Sequence, residues 1–247
     1  MSIQPARRAV PIGAAGRLGI AMAIEFAGTA LLATLLSMIQ VATDASRHSG
    51  SSESVTAAVS VSVLAACGAL LALAHGAHLN PLLTLAAWFD GRRFRHDGRI
   101  VFAYFAAQGT GAFVAVTVID LVIDGRQLPA VDTPATAWLV GTEFVCATGL
   151  VALFLIFATA RRGSSIAAAL GGYLDVITVV GWSYSFANPA LVLATLRHTS
   201  WEDGTTDTAV VVLAALFGGG FIGAQFFAAE KSGGVNLRPR KSINIHH

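Results

Sequence analysis

The sequence predicts an all-α membrane protein with six membrane-spanning helices and two short re-entrant half-helices, arranged as an inverted repeat. Three observations predict it. Hydrophobic residues make up 55% of the 247-residue chain and charged residues only 12%, about half the charged share of a soluble domain. The few charges avoid the long apolar stretches. An acid-bearing span and an Asn-Pro pair each occur twice, in the same order.

A hydrocarbon core of about 30 Å needs about 20 apolar helical residues to cross it. The first such stretch, Leu18 to Val41, holds one charge, Glu25. The second, Val55 to Ala74, has 20 residues and no ionisable group except Cys67. Asn80 to Phe89 is apolar but only ten residues long, too short to cross. The third span is Ile100 to Ile119, uncharged, and the fourth is Trp138 to Ala160, with Glu143. The fifth, Ile166 to Trp182, is 17 residues with Asp175 and needs tertiary support. Asn188 to Leu196 is again short, and Thr208 to Ala229 closes the set without a charge. The spans occupy residues 18–229, with a first repeat at about 18–123 and a second at about 137–229. Residues 1–17 and 230–247 are read as tails. The stretch after Arg7, Arg8 and Arg17 is too long for the apolar core of a cleavable signal.

An even number of spans puts both ends on one side. That side collects Arg7, Arg8, Arg17, Arg92, Arg93, Arg95, Arg99, Arg161, Arg162, Lys231, Arg238, Arg240 and Lys241, 13 of the 16 basic residues. The other keeps Arg47, Arg126 and Arg197 and gathers eight acids: Asp44, Glu53, Asp120, Asp124, Asp132, Glu202, Asp203 and Asp207. The positive-inside bias places both termini in the cytoplasm, and the cell membrane is the expected location. The Arg92, Arg93, Arg95 cluster reads as this topology signal and not as a nucleic-acid site.

Glu25-Phe26-Ala27-Gly28-Thr29 opens the first span and Glu143-Phe144-Val145-Cys146-Ala147 the fourth. After the second span of each half comes Asn80-Pro81-Leu82 or Asn188-Pro189-Ala190. Three spans per half is odd, so the halves are mutually inverted, with the functional site where they meet at mid-membrane. Pro suits the first turn of a helix, where its missing N–H costs nothing. Asn suits the N-cap, where its side chain satisfies a free N–H. Each Asn-Pro therefore starts a half-helix. Non-helical backbone at that depth is tolerated only when buried in protein or lining a wet cavity. Two helix N-termini, each carrying about +0.5 charge, then face each other. Their potential disfavours cations and protons, and the two amides donate to a passing oxygen.

These residues resemble the aquaporin, or major intrinsic protein, family. The first loop, Gly76-Ala77-His78-Leu79-Asn80-Pro81, matches that family's pattern, with Leu82 where the family has Ala; Asn188-Pro189-Ala190 is intact. Glu25-x-x-Gly28-Thr29, Gln108-Gly109-Thr110-Gly111-Ala112 and Gly219-Gly220-Phe221-Ile222-Gly223-Ala224 also resemble it. The resemblance implies a homotetramer with one pore per subunit and a four-residue selectivity filter on the outer side. One filter residue is usually an Arg directly after the second signature; here it is Leu191. Counting from each Asn as the family does puts the others at Ser60, Val176 and Ser185.

Leu191 supplies no hydrogen bonds and no charge, Ser60 and Ser185 are small, and no aromatic narrows the ring. The implied filter is wider and less basic than that of a water pore. The resemblance then points to a passive channel for small neutral solutes: metalloid hydroxides such as arsenous acid, glycerol-like polyols, urea and water. Metalloids rank first because some bacterial members lacking this Arg are associated with arsenical movement.

Glu25 and Glu143 are acids within spans, where such groups face the bundle interior. The resemblance makes them, with His78, supports for the re-entrant loops. A proton relay is the alternative, and it leads to the rival reading of a proton-coupled transporter on the same inverted frame. Asp175 fits a pore vestibule and a helix kink equally. His75 and His78 lack the Cys or acid that would complete a metal site, and His75 has a further reading as a pH-sensitive group at the cytoplasmic mouth. Cys67 and Cys146 read as small buried side chains without a disulfide. No cofactor, metal, nucleic acid or catalytic constellation is implied. The implied partners are the solute, water and the lipid bilayer.

Overall fold

The computed structural model describes residues 14–47, 52–90, 98–122, 137–158, 163–179, 183, 185–196 and 205–232. The basic positions Arg7, Arg8, Arg92, Arg93, Arg95, Arg161, Arg162, Arg238, Arg240 and Lys241 lie outside the described residues. So do Arg126, Arg197, Asp124, Asp132, Glu202 and Asp203 on the opposite side. The described residues form eight helices and no strand: α1 (Ala14–Arg47), α2 (Ser52–Ala74), α3 (Pro81–Asp90), α4 (Gly98–Val122), α5 (Ala137–Ala158), α6 (Gly163–Val179), α7 (Pro189–Thr195) and α8 (Thr205–Ser232).

Four stretches are long and apolar enough to cross a membrane on their own: Gly16–Ile39, Gly98–Val122, Ala137–Ala158 and Thr206–Phe227. α2 runs 23 residues and α6 only 17. α6, short and carrying Asp175, depends on the bundle, as its charge and length led one to expect. At 1.5 Å per residue, α3 is about 15 Å long and α7 about 10 Å, so neither reaches across. Each long helix turns one face to the bundle and an apolar face outward. Phe102 and Leu121 on α4, Trp138 and Val145 on α5, and Phe221 and Phe226 on α8 are all exposed large apolar side chains. In water such a surface would drive aggregation; against lipid tails it is the surface a spanning helix requires.

The packing repeats between the halves. In the first, α1 lies against α2 and α4; in the second, α5 lies against α6 and α8. The halves interlock because α3 reaches α8 while α7 reaches α4, and α2 meets α6. At the corresponding helix crossings the backbones nearly touch. A Cβ on Gly111 of α4 would collide with the carbonyl of Phe26, the residue after Glu25. A Cβ on Gly219 of α8 would collide with the carbonyl of Phe144, the residue after Glu143. Small residues permit this approach between membrane helices, and here the same contact occurs once per half.

Cys67 and Cys146 are both free thiols. Cys146 is buried, but Cys67 is exposed, which corrects the reading of both as interior: α2 turns Cys67 away from the face that carries Ala65, Ala69 and Leu73.

Candidate functional site at the half-helix junction

The junction is made by two tight loops. In the first, Gly76 (φ 91°) and Leu79 (φ 56°) take left-handed backbone conformations just before Asn80. In the second, Phe186 (φ 52°) and Ala187 (φ 49°) do so just before Asn188. A non-glycine residue in this region costs roughly 1–2 kcal/mol, and such strain persists where the surroundings over-determine it. What the strain achieves is visible in the hydrogen bonds. It turns the carbonyls of Leu79 and Ala187 toward the opposite loop.

Asn80 Nδ2 donates to the Ala187 carbonyl at 3.0 Å, and Asn188 Nδ2 donates to the Leu79 carbonyl at 2.8 Å. Each Asn Oδ1 caps its own half-helix, accepting from the Leu82 N–H at 2.8 Å and the Ala190 N–H at 3.0 Å. Pro81 and Pro189 occupy the first helical positions. Both asparagines are buried, at 4% and 1% exposure. The structure therefore brings Asn80, Pro81, Leu82, Asn188, Pro189 and Ala190 into one crossed pair of half-helix N-termini. A primary amide has two N–H donors, and one of each pair goes across the junction. The other has no protein partner among the described residues.

Behind each loop stands a glutamate. Glu25 accepts from the His78 N–H at 2.6 Å, the Leu79 N–H at 2.7 Å and Gln108 Nε2 at 2.8 Å. Gln108 Nε2 also reaches Thr84 Oγ1 at 3.0 Å, and Thr84 Oγ1 lies 3.1 Å from His78 Nδ1. The ring of His78 packs at 5.5 Å from that of Tyr104 and edge-on to Phe154 at 5.6 Å. In the second half, Glu143 Oε2 accepts from Ser183 Oγ and Ser185 Oγ, each at 3.0 Å. Ser183 Oγ in turn accepts from the Ala187 N–H at 2.9 Å. Both carboxylates are 1% exposed, so each glutamate fastens its loop from within the bundle. Ser183 and Thr84 take part in this without standing out in the sequence, and Gln108 stood out only as the start of a resembling stretch, with no role assigned. Hydroxyls and amides in apolar segments were the available signal, but only the fold gives these three their roles.

The four filter positions differ in burial. Leu191, 2% exposed, sits in an apolar cluster with Ala33, Met38, Ala112, Phe186 and Ala194. Ser185 is buried, its hydroxyl on Glu143. Ser60 is exposed on α2 and Val176 is 60% exposed on α6. Asp175 is exposed beside it, and His75 is exposed at the end of α2 with Nδ1 2.8 Å from the Leu71 carbonyl. Among the described residues no three His, Cys, Asp or Glu side chains gather as a metal site.

A bundle of inverted halves, with two half-helices meeting through uncharged amides, is the architecture of a membrane channel of the class the sequence resembles. The model of the major intrinsic protein family matches residues 17–227. The chain belongs to that family. A curated relative, the aquaglyceroporin AqpS of Rhizobium meliloti (strain 1021), is 35% identical over 125 residues, which is 48% of this chain and 50% of that protein. The match thus spans half the length of the relative. Among solved structures, the aquaglyceroporin of Plasmodium falciparum has the same fold, with a TM-score of 0.61 at 20% identity, covering 85% of this chain and 95% of the other.

Proposed function

We propose that this chain is a passive channel for small uncharged solutes, passing metalloid hydroxides such as arsenous acid, glycerol-like polyols and water down their gradients. The crossed asparagine pair carries the proposal. Two buried amides, each with an N–H to spare, offer hydrogen bonds to a neutral oxygen without offering a charge. The positive ends of two facing half-helices disfavour cations and protons. Leu191, where the family resemblance places an Arg, adds neither donor nor charge, and Ser185 beside the loop is small. This supports a filter wider than that of a water pore. The similarity to an aquaglyceroporin supports a solute larger than water. The family resemblance further supports a homotetramer, and the basic bias supports a cell-membrane protein with both termini in the cytoplasm.

The hydrogen bonds that Glu25 accepts from His78, Leu79 and Gln108, and those that Glu143 accepts from Ser183 and Ser185, support a loop-fastening role over a proton relay. Fluxes of water, glycerol, urea and arsenite into reconstituted vesicles test the reading. A channel gives fast flux with weak temperature dependence and no response to a proton gradient. Accumulation above the external level driven by pH would overturn it. Leu191→Arg should lower glycerol or arsenite flux about tenfold relative to water. Leu191→Phe, which narrows without adding a buried charge, should act in the same direction. Unchanged flux in both variants would remove Leu191 from the filter.

A further inference from the structure

The two half-helix signatures differ only in their third residue, Leu82 at the start of α3 and Ala190 at the start of α7. These two positions are 108 apart, and the same interval leads from Ala112 of α4 to Gly220 of α8. The second half thus has two alanines where the first has a leucine and a glycine. All four residues are buried.

Leu82 and Gly220 also meet in space. α3 packs on α8 as α7 packs on α4. A Cβ built on Gly220 would lie 3.2 Å from one methyl of Leu82, 3.5 Å from the other and 3.6 Å from its Cγ, the nearest atoms it would meet. Gly220 therefore leaves the notch that the head of Leu82 enters. In the second half Ala112 and Ala190 share one apolar cluster, with one methyl each.

Leu82 is tied directly to the junction. Its N–H donates to Asn80 Oδ1 at 2.8 Å, and Asn80 Nδ2 donates to the Ala187 carbonyl at 3.0 Å. A shift of Leu82 against α8 carries this cap with it, because a close-packed interior has no slack to absorb the movement.

We propose that Gly220 is a positioning residue for Asn80. It seats Leu82, and the seated leucine fixes where the N-terminus of α3 stands, hence where the Asn80 amide meets a passing oxygen. This rests on the channel reading above. A displaced amide hinders a large solute more than it hinders water. Both fluxes scale with the amount of folded protein, so their ratio reads the placement and not the yield.

The test measures glycerol and water flux into vesicles, each corrected for empty vesicles. Gly220→Ala should lower the glycerol-to-water ratio about fivefold, the scale of coupling between residues in contact. The double variant Leu82→Ala, Gly220→Ala installs the alanine pair of the second half and should restore the ratio to within about twofold. Gly218→Ala should leave the ratio unchanged, since among the described residues its Cβ would meet only the Phe144 ring, at 3.4 Å. An unchanged ratio in Gly220→Ala, or a double variant no nearer the original than the single, overturns the proposal. Should the unaltered protein pass nothing above empty vesicles, the channel reading fails, and the seating of Leu82 is decided by melting in detergent. The double variant should there lose less than Leu82→Ala and Gly220→Ala together, because the added methyl fills part of the cavity that Leu82 vacates. Additive losses overturn the seating.

Discussion

In the first half of the molecule the buried glutamate is reached by two backbone N–H groups and an amide side chain; in the second, the groups that reach it include two serine hydroxyls. The surroundings differ in the same sense. Asn188 follows Asn80 by 108 positions and Gly219 follows Gly111 by the same interval, so His78 corresponds to Phe186, Thr84 to Val192 and Gln108 to Leu216. Three members of the polar network around Glu25 thus have buried apolar side chains as their counterparts in the second half. At these three positions the repeat keeps the geometry and changes the chemistry. What both halves need is a carboxylate behind the loop, a left-handed residue before the Asn and a close helix crossing. How the carboxylate is satisfied is left to each half.

The largest expected effect breaks the comparison at the glutamates. Glu25→Gln puts an NH₂ group where backbone N–H donors point, and a backbone N–H cannot reverse its role. One stranded donor of this kind costs about 1–3 kcal/mol, and two donors compete for the one remaining oxygen. At Ser183 and Ser185, Glu143→Gln meets hydroxyls, which rotate and accept. Thermal unfolding in detergent should therefore show a clearly larger loss for Glu25→Gln than for Glu143→Gln. Equal losses would mean that the donor type is irrelevant.

A second pair of variants sharpens the shared part. Gly111→Ala and Gly219→Ala each drive a methyl group into a carbonyl of the neighbouring helix. Overpacking of this kind typically costs about 1–3 kcal/mol. The two losses should agree closely, because the crossings are alike. A large difference between the two melting shifts would show that the halves are not equally tight.

The frame was legible because membrane crossing imposes coarse rules. Twenty apolar residues, a basic bias on alternate loops and a twice-used Asn-Pro are visible without coordinates, and the half-helices fall at Pro81–Asp90 and Pro189–Thr195, within a residue or two of the sequence boundaries. Helical phase was less legible. α2, α5 and α8 are apolar nearly all round, so hydrophobicity does not separate the lipid face from the interior face. Cys67 was misread for the same reason. The support of the second loop was hidden too. Ser183 and Ser185 look like ordinary loop serines until the chain brings them to a glutamate 40 and 42 positions away.

The smallest expected effect comes from making the first half more like the second. Gln108→Leu installs the residue found at the equivalent position 216. It removes one hydrogen bond from Glu25 and one from Thr84. It also removes Gln108 Oε1, a buried oxygen with no hydrogen-bond partner among the described residues. An unmet buried acceptor opposes folding by about 1–3 kcal/mol, and a charge-assisted bond contributes about as much. The two changes largely offset, and the backbone donors of His78 and Leu79 still hold the carboxylate. A melting shift smaller than that of Glu25→Gln is expected, with glycerol flux retained. A loss as large as that of Glu25→Gln would show that the amide, and not the loop backbone, is what keeps Glu25 in place.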